Sequence, residues 1–336
     1  MTSTRREFLR DTLVGGGSAL AAGLLPAIAS GRDNLPRIPT ARGLLYDSTL
    51  CIGCKACMAA CKQANDLPPE HTLAEPYWDT PLDLSGKTKT VIKMYRDGTA
   101  AVKDREVDGF AFIKASCMHC VDPSCVSVCP VSAMRKDPGS GIVTNNPDVC
   151  IGCRYCVAAC PFKVPRFEYD TPFPRIKKCE LCEHRMAKGH YAACAAVCPT
   201  GATLYGQVED LLREAKRRLS LSPGEETRFP RGELGGADHD VRAHTARYVP
   251  QIYGESEMGG TQMIFLAGVP FAKLGYRPLP TRSYASVSET LQHSLYEGMV
   301  MPIAALAGLS FLAYRSRVNH TLLDEEDQPE PAGEQP

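Results

Sequence analysis

Two long apolar runs stand out along the chain, one near each end. The first, residues 13–28, is rich in Gly and Ala, follows Arg5 and Arg6, and is closed by the small residues of Ala27-Ile28-Ala29. Charged, apolar and small-residue regions in that order predict a twin-arginine export signal over residues 1–29, cut after Ala29. The second run, residues 295–314, carries one charge, Glu297. At about 1.5 Å per helical residue it is roughly 30 Å long, the thickness of a bilayer core, and predicts a transmembrane anchor. Pro302 and Gly308 are tolerated in such a helix. Arg315 and Arg317 follow at once, which assigns the tail, residues 315–336, to the cytoplasm and the rest of the chain to the opposite side.

Between these runs the pattern has a short period. Strands are expected at 90–95, 110–114, 141–144, 164–169, 202–205 and 263–266. Residues 208–219 have a helical period, with Leu211, Leu212, Ala215 and Leu219 on one side and a basic face that reads as solvated. From 221 to about 290 the chain is rich in Pro, Gly and charge and too long for a plain loop. This stretch is expected to wrap the domain before it or to dock a partner.

Acidic and basic residues balance at 38 each, so nothing supports a nucleic-acid partner. One Trp and ten Phe set against 26 Pro and 28 Gly describe a loop-rich chain, poor in aromatics, that needs another source of cohesion. The sixteen cysteines supply it. Cys51, Cys54, Cys57 and Cys61 follow C-x2-C-x2-C-x3-C, as do Cys150, Cys153, Cys156 and Cys160. Cys117, Cys120, Cys125 and Cys129 widen the second gap, and Cys179, Cys182, Cys194 and Cys198 widen it further. Pro130, Pro161 and Pro199 follow three of the groups, while Lys62 follows the first.

A tight loop delivers three thiolates to a cubane cluster, and the fourth cysteine points away to a partner cluster, so such motifs work in pairs. Four motifs imply four [4Fe–4S] clusters. A disulfide framework predicts less regular spacing, and covalent haem needs C-x-x-C-H, which is absent; structural zinc suits isolated C-x2-C pairs, best the widely gapped fourth group, and fits C-x2-C-x2-C-x3-C poorly. His119, between Cys117 and Cys120, reads as a hydrogen-bond donor near a cluster or a surface residue. Lys55, Lys62 and Arg154 beside the ligands either raise local potentials or are solvated. Twin-arginine export carries folded proteins, which suits cofactors inserted in a reducing cytoplasm. No Ser/His/Asp arrangement, phosphate-binding glycine loop or helix with paired metal-binding His is present, so the chemistry is electron carriage without a catalytic site.

Tyr46-Asp47-Ser48-Thr49-Leu50-Cys51-Ile52-Gly53-Cys54, Cys117-Met118-His119-Cys120-Val121-Asp122-Pro123 and Cys150-Ile151-Gly152-Cys153-Arg154-Tyr155-Cys156 resemble the four-cluster, ferredoxin-type iron–sulfur subunits of respiratory oxidoreductases. With the export signal, the stretch 253–261 and one carboxyl-terminal helix, the resemblance is greatest to the electron-transfer subunit of hydrogenase-2-type membrane-bound uptake [NiFe] hydrogenases. The beta subunit of exported formate dehydrogenase shares the layout. The resemblance implies that the first motif pairs with the fourth and the second with the third. One cluster would take Cys51, Cys54, Cys57 and Cys198, and its neighbour Cys61, Cys179, Cys182 and Cys194. A third would take Cys117, Cys120, Cys125 and Cys160, and the last Cys129, Cys150, Cys153 and Cys156.

The implied fold is α+β, two bacterial-ferredoxin-like modules with two [4Fe–4S] clusters each. The cluster domain would span 43–206 with one module inserted at about 108–170, followed by a docking segment at 207–293 and the anchor. The implied partners are the hydrogenase small and large subunits, an integral membrane quinone-reactive subunit and, during export, the twin-arginine translocase. The implied place is the periplasmic side of the inner membrane.

Overall fold

Leu44, Leu45 and Tyr46 are consecutive, apolar and fully buried, the signature of a strand covered on both faces. This strand, β1 (Arg42–Asp47), turns Leu44 and Tyr46 into one hydrophobic core and Leu45 into a second. The computed structural model describes residues 31–70, 80–236 and 240–326, so the predicted export signal lies outside the described residues. One compact unit is Asp33–Ser286; a separate unit contains the described residues 31–32 and 287–326.

In chain order, β1 leads to helix α1 (Ala56–Ala64) and then to β2 (Val91–Arg96), β3 (Val102–Lys103) and β4 (Gly109–Ala115), a sheet of order β2-β4-β3. Helix α2 (Ser124–Ser127), β5 (Met134–Lys136), β6 (Val143–Asn145), helix α3 (Tyr155–Ala159), β7 (Arg166–Phe167) and β8 (Ile176–Lys177) follow. Among these, β5 pairs with β6 and β7 with β8, both antiparallel. Helices α4 (Glu183–Met186) and α5 (Ala193–Ala196) precede β9 (Thr203–Gln207) and the long helix α6 (Val208–Ser220). The chain continues through β10 (Glu226–Phe229), β11 (Gly232–Glu233), β12 (Val241–His244), a short 3-10 helix (Glu257–Gly259), β13 (Met263–Leu266) and α7 (Tyr284–Glu326).

The central sheet has the order β11-β9-β1-β13. β1 runs antiparallel to β9, with Leu44 opposite Tyr205, and parallel to β13, with Leu44 opposite Met263. Val208, Leu211, Leu212 and Ala215 of α6 cover one face of this sheet beside Leu45, Leu204 and Ile264. The other face looks into the larger core, which holds Cys51, Cys57, Cys117, Cys194 and Cys198, with Cys120, Cys160 and Cys179 packed against it.

The helix expected at 208–219 extends one residue further, and the strand at 263–266 falls where expected. The strand expected at 164–169 is only Arg166–Phe167. Its start is taken up by a turn: Val164 N–H donates to Cys160 Sγ at 3.5 Å, and Pro165 has no N–H for a ladder. The basic face of α6 is not wholly solvated, because Arg218 is fully buried against Asp47 and Glu214. The segment from 221 onward contributes more than a wrapping. It supplies β13 to the sheet, and Tyr253, Phe265, Phe271 and Tyr276 form an aromatic group in the larger core.

Helix α7 begins where Ser283 Oγ accepts the Ser286 N–H at 2.9 Å, a side-chain cap. Its portion Tyr284–Arg315 is long and apolar enough to cross a membrane, with a mean hydropathy of 1.5 over its best window of 18 residues. Leu295, Val300, Ile303, Leu306, Leu309 and Leu312 are all exposed.

Candidate functional site

All four cysteine loops share one backbone turn. Two residues after the first cysteine stand Gly53, His119, Gly152 and Leu181, at φ 69°, 46°, 70° and 51°. Lys55 and Arg154 are also left-handed, and α1 and α3 start directly after them. A left-handed residue other than Gly costs roughly 1–2 kcal/mol, yet five such residues, Cys182 included, are spent on these loops. The turn directs successive N–H groups into one concavity, which suits a bound anion. At Gly53 a side chain is excluded sterically as well, since a Cβ would lie 2.5 Å from the Phe112 ring.

The loops bring the cysteines together in fours, each with three from one motif and one from another. Cys51, Cys54, Cys57 and Cys198 line one cavity. Cys61, Cys179, Cys182 and Cys194 line a second, and Cys129, Cys150, Cys153 and Cys156 a third. In the remaining group Cys120 lies among Cys160, Cys125 and Cys117, close enough that each raises its pKa. All sixteen are free of disulfides, and only Cys54 and Cys153 are exposed. Among the described residues no three His, Cys, Asp or Glu side chains gather closely enough to hold a single ion.

Burial, reinforced by neighbouring thiols, pushes Cys57, Cys61 and Cys125 up to about 12 and Cys156 to about 11. Such foursomes ionise together only when multivalent cations replace the lost hydration, as the irons of a cubane do. Donors to sulfur are in place. Ala133 and Met134 N–H reach Cys129 Sγ at 3.2 and 3.4 Å, and Leu181 N–H reaches Cys179 Sγ at 3.4 Å. Asn65 Nδ2 reaches Cys61 Sγ at 3.7 Å. Four soft ligands around a shielded cavity, with N–H groups on the sulfurs, fit a [4Fe–4S] core.

The cations the sequence singles out hold backbone carbonyls or lie over a ring. Lys55 Nζ donates to Thr80 O at 3.0 Å, and Lys62 Nζ to Lys87 O at 2.6 Å and Pro68 O at 2.9 Å. Arg154 lies over the Phe167 ring at 5.6 Å. His119 is buried, not at the surface. Its Nδ1 accepts the Val143 N–H at 3.0 Å, so the ring proton resides on Nε2, which has no partner among the described residues. Sequence reasoning misses Lys114, Lys136 and Lys178. Lys178 donates to Cys179 O at 3.1 Å and to Val143 O, and Lys136 to Cys120 O at 2.8 Å. Their signal was their position in strands or beside cysteines, where an inward-facing lysine is unusual.

Residues 109–208 match the family described as 4Fe-4S dicluster domain. The chain is 46% identical over 321 residues to the hydrogenase-2 operon protein HybA of Escherichia coli O157:H7, covering 94% of this chain and 96% of that one. It is 31% identical over 292 residues to the iron-sulfur subunit of the nitrate-inducible formate dehydrogenase of Escherichia coli K12, covering 84% and 88%. A formate dehydrogenase iron-sulfur subunit of Haemophilus influenzae is 30% identical over 287 residues, 85% of this chain and 80% of that one. With cysteines grouped for 4Fe–4S binding and similarity over nearly its whole length, this chain belongs to the HybA family of ferredoxin-type 4Fe–4S proteins, to which the formate dehydrogenase iron–sulfur subunits are related.

Proposed function

We propose that the chain relays electrons through four [4Fe–4S] clusters, from the small subunit of a [NiFe] hydrogenase to a quinone-reactive subunit in the membrane, and is not itself catalytic. The observation that carries this reading is the interleaving of motifs, three cysteines from one and one from another around each shared site. The ligand sets are Cys51, Cys54, Cys57 and Cys198; Cys61, Cys179, Cys182 and Cys194; Cys117, Cys120, Cys125 and Cys160; and Cys129, Cys150, Cys153 and Cys156. The first and fourth motifs then make one two-cluster module, with the module of the second and third inserted into it. Hydrogenase as the donor is favoured by the similarity to HybA across the chain.

A bound cubane takes up and releases one electron at a time. The chain's own residues bury the sulfurs, keep water from most of them and aim N–H groups at Cys129, Cys160 and Cys179. Cys54 and Cys153 reach the surface, each beside an exposed isoleucine, Ile52 and Ile151. These two loops are the places where electrons enter and leave. Residues 1–29 direct export through the twin-arginine translocase with cleavage after Ala29, and α7 anchors the protein on the periplasmic face.

The test is metal analysis of the complex purified in mild detergent, with iron and sulfide counted on the isolated chain. About sixteen irons per chain, and nickel in the complex, are expected. Zinc with little iron in the chain would refute the cluster reading. A second reading, the iron–sulfur subunit of an exported formate dehydrogenase, is favoured by the relatives at 31% identity. Molybdenum or tungsten in place of nickel would establish it.

A further inference from the structure

The cavity lined by Cys61, Cys179, Cys182 and Cys194 is also lined by Lys114, Ser116 and Thr90. All three are buried, with Lys114 only 1% exposed. Among the described residues Lys114 Nζ, Ser116 Oγ and Thr90 Oγ1 have no nitrogen or oxygen hydrogen-bond partner, and the groups that act most on Lys114 are the Cys194 and Cys57 thiols. An ammonium in so dry a place is strongly unfavourable unless an anion faces it. Glu180, the carboxylate in the same lining, is engaged by Lys89 at 2.9 Å.

The other two cysteine cavities differ. In one, Tyr46 OH donates to Phe112 O at 3.1 Å and Lys55 Nζ to Thr80 O at 3.0 Å. In the other, the unpartnered buried atom is Asn145 Oδ1, which is an acceptor. Unpartnered buried donors thus meet at one of the three cavities. The backbone of Lys114 is firmly held there: the residue pairs with Ile92 across β2 and β4, and its carbonyl accepts from Tyr276 OH at 2.6 Å.

We propose that Lys114, assisted by the Thr90 and Ser116 hydroxyls, is the counter-charge of the cluster held by Cys61, Cys179, Cys182 and Cys194, and that it raises the reduction potential of that cluster. The inference rests on reading these cysteines as cluster ligands. An added electron increases the negative charge of the core, and a cation fixed beside it in a medium of low dielectric favours the reduced form.

The experiment uses the full chain in its membrane complex, as wild type and with Lys114→Met, Lys114→Gln and Lys114→Arg. Iron and sulfide are counted, and each cluster is followed by electron paramagnetic resonance through a redox titration. In both neutral variants one cluster is expected to lose at least tenfold in electron affinity, 59 mV for a one-electron couple, while Lys114→Arg stays near wild type. Loss of about four irons per chain in the neutral variants, with retention in Lys114→Arg, equally supports a counter-charge. Wild-type iron with unchanged potentials in the neutral variants overturns the proposal. So does loss of the cluster in all three, which marks a packing role. Failure of the underlying reading is seen separately, as a wild-type chain without iron and sulfide.

Discussion

Arg218 and Asp47, 171 positions apart in sequence, meet at 2.9 Å with both side chains fully buried. Arg218 Nε also holds Glu214 at 2.8 Å, and its guanidinium lies over the Phe229 ring at 5.1 Å. Asp47 accepts in addition from Tyr248 OH at 2.8 Å and from Thr49 Oγ1 at 2.7 Å. The pair therefore pins α6 to the end of β1 from which the first cysteine loop departs. Removing one partner of such a pair strands the other charge. Arg218→Ala is expected to cost about 3–5 kcal/mol, read as the midpoint of chemical unfolding by circular dichroism. Arg213→Ala, on the exposed side of the same helix, should stay within about 0.5 kcal/mol.

Gly53 and Gly152 occupy equivalent turns with nearly equal φ, but their surroundings differ. A Cβ on Gly53 would strike the Phe112 ring at 2.5 Å, whereas on Gly152 it would meet Phe167 at an ordinary 3.4 Å. Gly152→Ala is expected to carry only the left-handed penalty of roughly 1–2 kcal/mol. Gly53→Ala adds displacement of a buried ring. Iron counts should show Gly53→Ala losing cluster occupancy while Gly152→Ala stays near the wild-type value.

His119→Ala leaves the buried Val143 N–H without its acceptor, an expected loss of about 1–3 kcal/mol. Asn tolerates a left-handed backbone and carries an oxygen that can replace Nδ1. His119→Asn should therefore recover part of the loss in the same unfolding measurement. Equal midpoints for the two variants would mean that the Val143 bond contributes nothing.

Burial alone would raise the Glu180 carboxyl, but Lys89 overcomes it and holds the group below its ordinary value. A carboxyl depressed in the folded state stabilises the fold above its unfolded value, and that stability fades as pH falls through the folded one. Wild type is thus expected to exceed Lys89→Met by about 1 kcal/mol at neutral pH. The gap should close in acid, once Glu180 is protonated in both folded and unfolded chains. A gap independent of pH would assign the role of Lys89 to its bond with Asn65 Oδ1 instead.

Much of the site was legible because its chemistry imposes a spacing. Every cysteine belongs to a repeat, and glycine marks two of the four turns. The other two turns carry His119 and Leu181, which no local rule identifies as left-handed. Helix α6 and β13 were legible because each has a clean period on one covered face. The strand near 164–169 was overestimated because Val164 N–H serves a sulfur rather than a neighbouring strand. Arg218 and Lys114 were beyond reach for a different reason. A buried cation has the same letter as a solvated one, and only partners distant in sequence tell them apart.

The parallel pairing of β1 with β13 has a consequence for biosynthesis. A ribosome makes the first partner at residues 42–47, but the second is complete only at residue 266 of 336. Until then one edge of β1 is open, and Met263, Phe265 and their aromatic companions are missing from the core that backs the cysteines. The sheet therefore closes only after Leu266 has been made, and a chain broken before Met263 keeps a bare, adhesive strand edge. Closure of this one ladder distinguishes a chain that reaches past Leu266 from one cut short of Met263.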